Sequence, residues 1–148
     1  LWDVILSSKK SYSNWSISHE EFEKNQFDTA LILNVTRPIY KDVLEYIKEN
    51  NLSIVRIINC TPNEGGATNF SIENGNHAAT LANSIYSAIA QRSTAERRAT
   101  LHIFAAAPNA FMFFLGQISR GFGKCVLYEY DFEQRDSCSY AESISFRD

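Results

Sequence analysis

Thr29–Ile47, TALILNVTRPIYKDVLEYI, is the stretch that decides the fold. Its first seven residues form an apolar run, as expected of a strand covered on both faces in a parallel sheet. Thr36-Arg37-Pro38 punctuates that run. Beyond Pro38 the spacing turns helical, with Ile39, Val43, Leu44 and Ile47 on one face. Proline suits the first turn of a helix, where its missing N–H costs nothing, and Asn50-Asn51 ends the segment. A strand followed at once by an amphipathic helix is the opening of a βαβ unit.

The pattern repeats downstream. Ser53–Cys60 reads as a second strand and Asn76–Arg92 as an Ala-rich helix. Thr100–Ala106 is a third strand, Pro108–Ser119 a helix, and Cys125–Asp131 a fourth strand with Val126, Tyr128 and Tyr130 on one face. The Pro108–Ser119 helix is apolar nearly all round and is expected to be well buried. Thr61–Gly75 is polar, with a weakly alternating centre, Ala67–Ile72, that is expected to form a short hairpin arm. Ser93–Ala99 reads as a surface connection, Gly121–Lys124 as a turn and Ala141–Phe146 as a short final strand. The first 27 residues are less periodic. Leu1–Ser7 is a candidate strand and Ser8–Ser18 a loop anchored by Trp15. Ser18 with Glu20, Glu21 and Glu23 resembles a capped helix start with solvated acids.

Strands alternating with helices specify an α/β fold, a mostly parallel central sheet with helices on both faces. If the chain winds first one way and then the other, the four strands lie in the order second, first, third, fourth. The switch point then falls between the first and third strands, and ligands in such sheets bind beyond the C-terminal strand ends there. The two loops expected to meet are Asn34–Pro38 and Ala105–Asn109.

Bulk properties narrow the function. A length of 148 residues suits one core. The formal net charge of −3 argues against a duplex nucleic-acid binder that relies on bulk charge. No apolar run reaches the roughly 20 residues of a membrane helix, so direct membrane insertion is not expected. No signal-peptide pattern is present. Cys60, Cys125 and Cys138 are odd in number and lack a C-x-x-C, which points to a reducing cytoplasm rather than disulfides or zinc. His77 and His102 have no neighbours at metal-ligand spacing, so capping and core roles are expected and no cofactor is called for. The chain starts at Leu1 and reads as a fragment or processed piece.

Candidate site residues follow from the two loops. Ala105, Ala106 and Ala107 leave space, while Pro108 and Asn109 start a helix whose free N–H groups favour phosphate. The other loop is expected to offer the same, plus the Thr36 hydroxyl and the Arg37 guanidinium, which forks onto phosphate oxygens. Pro38, Ala107 and Pro108 would shape the rim, and Phe111, one turn into the helix, would face the crevice. Two readings of these small residues stand side by side: a phosphodiester site, or close packing of helix on strand. Thr61, Asn63, Gly65 and Gly66 follow the second strand. They form either a plain turn or an anion-wrapping loop, and the Lys-Ser/Thr of a P-loop is missing. Phe104 reads as core or as a ring that stacks on a base, Tyr128 and Tyr130 as sheet packing or as rings that flank a base, and Asp131 as a candidate contact to a ribose or adenine.

LHIFAAAPNAFMFFLGQ, then KCVLYEYDFEQ with Tyr140 and ESISF downstream, resembles the C-terminal part of a SAVED domain. ALILNVTRPIYKDVLEYI is similar to the family's strand, Thr and helix that begin this lobe, and the Gly65–Ala90 region fits its middle. The resemblance covers roughly residues 28–147 and is most specific over 104–130. It implies a Rossmann-like (CARF-like) three-layer lobe. On this reading residues 1–27 are an N-terminal extension or linker from a missing first lobe, and 28–148 the CARF-like lobe. The family senses cyclic oligonucleotides in bacterial antiviral defence, in CBASS and some type III CRISPR systems. The resemblance therefore implies a cytoplasmic sensor with no chemistry of its own, binding a cyclic oligonucleotide second messenger. It would regulate a fused or partner effector (nuclease, protease, TIR or membrane module) and self-associate on ligand binding. Two alternatives stay open: a phosphodiesterase that degrades the same ring, or a protein-interaction fragment with no ligand.

Overall fold

A computed structural model describes residues 12–22, 25–63, 65–130 and 140–146. Six strands form one sheet: β1 (Trp15–Glu21), β2 (Asp28–Asn34), β3 (Ile54–Pro62), β4 (Leu101–Ala106), β5 (Cys125–Tyr130) and β6 (Tyr140–Phe146). Their spatial order is β1-β3-β2-β4-β5-β6. The central four are mutually parallel, and β1 and β6 add antiparallel edges. The four strands read from sequence thus occupy the expected order, with the switch between β2 and β4.

Side-chain alternation sorts the sheet into two faces. Leu31, Leu33, Ile58, Cys60, Leu101 and Ile103 pack under α2 (Gly75–Ala90) and α4 (Asn109–Gln117). Ala30, Ile32, Ile57, Phe104 and Tyr128 pack under α1 (Tyr40–Glu49). The result is the expected three-layer α/β arrangement. Cys60 and Cys125 are free and buried, and burial pushes the Cys60 thiol up to about 12. At the end of α1, Asn51 takes a left-handed φ of 50°, standing where glycine is usual.

Several local expectations fail for identifiable reasons. Residues 18–21 do not start a helix; they lie in β1, which pairs with β3 from Trp15↔Pro62 to Glu21↔Arg56 and so extends the same sheet. The edge of β3 needs a hydrogen-bonding partner, and Trp15 and Ile17 supply an inward face. The Trp15 indole donates to the Leu81 carbonyl at 2.8 Å and meets the Phe111 ring edge-on. Residues 67–72 form a turn rather than a hairpin arm, because Ser71 Oγ accepts from the Thr68 amide and donates to backbone carbonyls of the same loop. Pro38 lies outside α1, whose first helical residue is Tyr40. The α4 helix is not buried all round: Phe111 and Leu115 are buried, whereas Phe113 is 66% exposed. One face of α4 meets the sheet and its outer face has no cover among the described residues. Leu1–Ser7, Glu23, Glu64, Asp131 and Cys138 lie outside the described residues.

The presumed surface connection at 93–99 holds a short helix, α3 (Thr94–Arg98), started by a capping box between Ser93 and Glu96. Glu96 is buried and also pairs with Arg56 on β3, which reaches Glu21 at 2.7 Å as well. Burial pushes the Glu96 carboxyl up, but the hydrogen bonds from Arg56 and Ser93 outweigh it and hold the group below the usual carboxylate range. A depressed carboxyl stabilises the fold above its unfolded value, near 4.3, and loses that contribution as pH falls through its folded value. Glu96→Gln is therefore expected to cost roughly 3 kcal/mol at pH 7, the low end for a buried pair because Arg56 still touches solvent. Urea titrations across pH should show the gap between variant and native protein closing below about pH 4.

Candidate functional site

A cleft of ≈ 590 Å³ opens at the C-terminal ends of β2, β4 and β5. Its size falls in the range of small-ligand sites. Thr36 and Arg37 reach it from the loop after β2, and Ala105, Ala106, Ala107 and Asn109 from the loop after β4. Leu127, Tyr128, Glu129 and Tyr130 supply the β5 side, Tyr140 the β6 side, and Ile39 and Met112 complete the lining. The two loops read from sequence do converge.

Their donors differ from expectation. The Val35 and Thr36 amides both donate to the Ala106 carbonyl, at 3.0 and 2.8 Å, and the Ile39 amide donates to Asn34 Oδ1 at 2.8 Å. None of the first-turn residues of α1, Tyr40 to Asp42, lines the cleft. The amides of Val35, Thr36 and Ile39 are thus already bonded, and the β2 loop contributes Thr36 and the exposed Arg37 to the lining. On the other side, Pro108 caps α4 and its carbonyl accepts from Met112. The amides of Asn109, Ala110 and Phe111 precede the first intrahelical bond.

Arg37 is the one cation among the described lining residues and Glu129 the one carboxylate. The Arg37 guanidinium carbon lies 5.0 Å from the Tyr130 ring centre, a cation–π contact. Tyr130 meets Tyr140 edge-on at 5.7 Å, and Tyr140 meets Phe104. Phe104 stacks on Tyr128 at 4.3 Å, and Tyr46 of α1 touches Phe104, Tyr128 and Tyr140. The wall is a packed aromatic cluster with only Tyr130 at its rim.

Beneath it runs a polar chain. His102 Nε2 lies 2.9 Å from Asp28 Oδ2, and Nδ1 lies 2.8 Å from the Tyr128 hydroxyl. With Asp28 ionised, Nε2–H donates and Nδ1 accepts the phenol proton. Burial pushes the Asp28 carboxyl up, but the hydrogen bonds from His102 and the Thr100 amide hold it below the usual range. Burial, then the charge of Glu142, pushes the Tyr128 phenol up, so it stays protonated at neutral pH. This chain ties β2, β4 and β5 together. His77, whose amide donates to the Asn74 cap, is held by Ser13 and the Glu73 amide. No cluster of metal-ligating side chains occurs among the described residues.

Several candidates lie elsewhere. Phe111 is fully buried against Trp15 and does not face the crevice; the helix turns that side toward the sheet. Pro38 and Pro108 flank the cleft without lining it. Thr61, Asn63, Gly65 and Gly66 follow β3 and do not line it either. Thr61 Oγ1 accepts from Asn34 Nδ2 at 3.3 Å, and the Asn63 amide donates to the Asn14 carbonyl. Gly65 and Gly66 have φ of 72° and 66° with open space around them, so their backbone angles require glycine rather than any close approach. Sequence reading missed Asn34, Glu129, Tyr140 and the Arg37–Tyr130 contact. The one available signal was Asn34, a polar residue closing an apolar run.

The family model for SAVED, described as "SMODS-associated and fused to various effectors sensor domain", matches residues 1–146. The chain belongs to the SAVED family. It is 40% identical over 117 residues to CD-NTase-associated protein 4 of Enterobacter hormaechei, covering 79% of this chain and 23% of that protein. Two solved structures share this SAVED fold at 17% identity. They are the Acinetobacter baumannii Cap4 SAVED/CARF-domain containing receptor with the cyclic trinucleotide 3′3′3′-cAAA (TM-score 0.68) and the same receptor with 2′3′3′-cAAA (TM-score 0.71). Each match covers 93% of this chain and 28% of the receptor, so this SAVED segment spans about a quarter of its relatives' length.

If the Asp28–His102–Tyr128 chain is an anchor, Tyr128→Phe leaves His102 Nδ1 without its donor and costs about 1–2 kcal/mol. Urea denaturation measures this, and an unchanged midpoint would show the hydroxyl to be idle.

Proposed function

We propose that this SAVED segment is a cyclic-oligonucleotide-binding sensor lobe that regulates a fused or associated antiviral effector. The observation that carries the reading is the convergence of Arg37, the Thr36 hydroxyl, Asn109 and the start of α4 around one strand-end cleft with a Tyr130 rim. Arg37 and the α4 amides suit phosphate oxygens. Tyr130 suits the face of a base, a contact worth about 1–3 kcal/mol. The similar receptors that hold cyclic trinucleotides support the choice of ligand class. The family's sensor description supports a role in signalling.

On this reading the segment is the C-terminal lobe of a two-lobed cytoplasmic bacterial sensor. On the same reading the ring is bound and released uncleaved. Binding energy favours one arrangement of the larger protein, including self-association, and so switches the effector. Pro38, Ala107 and Pro108 shape the rim. Thr61, Asn63, Gly65 and Gly66 approach the ligand only if their loop folds over it.

Calorimetry of the intact protein with 3′3′3′-cAAA and 2′3′3′-cAAA is expected to show micromolar or tighter binding to at least one. Arg37→Ala should weaken it by roughly tenfold or more, the worth of a charge-assisted contact. Chromatography after incubation should return the ring uncleaved. Absence of heat from these and from cyclic di- and tetranucleotides would sink the reading, and linear product would move it to a phosphodiesterase.

A further inference from the structure

Asn34 is the last residue of β2 and is 2% exposed. Its side-chain amide makes four contacts. Nδ2 donates to Asn59 Oδ1 at 2.7 Å, to the Cys60 carbonyl at 3.0 Å and to Thr61 Oγ1 at 3.3 Å. Oδ1 accepts from the Ile39 amide at 2.8 Å. One carboxamide thus joins the end of β3 to the start of α1 and closes the loop between Asn34 and Ile39 on itself.

The loop has a second fastening. Val35 and Thr36 amides both donate to the Ala106 carbonyl of β4. Thr36 and Arg37 lie between these two fastenings, and both line the cleft. Without the Asn34 clamp the Ile39 amide and the Cys60 carbonyl lose a buried partner, and the segment carrying Arg37 is tethered at one end only. The position needs a donor and an acceptor in one short neutral side chain. Aspartate keeps the acceptor but sets a carboxylate oxygen against Asn59 Oδ1 and the Cys60 carbonyl, and leucine supplies neither.

We propose that Asn34 is the positioning residue of the cleft: it touches no ligand itself and fixes the loop that presents Thr36 and Arg37. This rests on the ligand reading above for its purpose, but the clamp can be tested without ligand.

The experiment uses the intact protein, native and with Asn34→Leu, Asn34→Asp and Glu96→Gln. Hydrogen exchange by mass spectrometry is read on peptides spanning 35–44 and 101–106, alongside thermal unfolding and calorimetry with 3′3′3′-cAAA and 2′3′3′-cAAA. Asn34→Leu is expected to speed exchange of the Ile39 amide, read in the 35–44 peptide, by roughly tenfold or more while 101–106 stays protected. The same variant should weaken binding by a similar factor. Asn34→Asp keeps one contact, gives an intermediate result and serves if the leucine variant does not fold. Glu96→Gln, remote from the loop, should lower the melting temperature while leaving loop exchange and affinity unchanged. The proposal is overturned if loop exchange in the Asn34 variants matches the native protein. It is overturned equally if exchange rises uniformly with lost stability, or if the loop loosens with no change in affinity. A native protein that binds none of the cyclic di-, tri- and tetranucleotides defeats the sensor reading instead, and the exchange data still decide the clamp.

Discussion

β2 is hydrogen-bonded to a parallel neighbour along each edge, β3 on one side and β4 on the other, and both of its faces are covered. Leu31 and Leu33 lie under α2 and α4, and Ala30 and Ile32 under α1. Each such leucine or isoleucine contributes about 1.5–3 kcal/mol by burial. With both edges and both faces committed, the strand has no freedom to slide. A shift of one residue would exchange its two apolar sets and break both ladders. The position of Asn34 at its C-terminal end, and hence of everything fastened to Asn34, follows from that register.

The polar groups inside the fold are placed to serve the same strands. Asp28 begins β2, His102 lies in β4 and Tyr128 in β5, so their hydrogen-bonded chain crosses three strands beneath the aromatic wall. Arg92 is buried with its guanidinium on the carbonyls of Ile89, Glu96 and Phe122, which fastens the end of α2 to α3 and to the turn before β5. Burial pushes the Arg92 guanidinium down, and a buried cation held by carbonyls leaves little room to repack. Thr29 Oγ1 is a buried hydroxyl with no hydrogen-bond partner among the described residues.

The cleft combines one guanidinium, one carboxylate and a tyrosine rim rather than a dense cationic surface. On the proposed reading such a site would hold a small anion through a few directed contacts and gain the rest from stacking, in keeping with the chain's slight negative charge. Arg37 rests on Tyr130, so the one guanidinium and the rim tyrosine of the described lining are side by side. Because the SAVED segment spans only about a quarter of its relatives, a ligand larger than this cleft would be completed by other parts of such a protein.

The sequence by itself determined the four central strands and the three longer helices, and, given a chain that winds first one way and then the other, the sheet order. Those rest on apolar runs and on helical spacing, both local patterns with a single economical packing. It also placed the two strand-end loops at one crevice, because the switch in winding direction dictates that convergence. Only the tertiary structure decided the rest. Residues 15–21 became a strand because β3 had an open edge, which no local cap signal can report. Phe111 turned inward because Trp15, almost a hundred residues away in sequence, fills the space beside it. The amides of Val35, Thr36 and Ile39 are spent on Ala106 and Asn34, while Thr36 and Arg37 line the cleft. A hydrogen bond between distant segments depends on where the backbone has already been fixed, and that is a property of the assembled sheet.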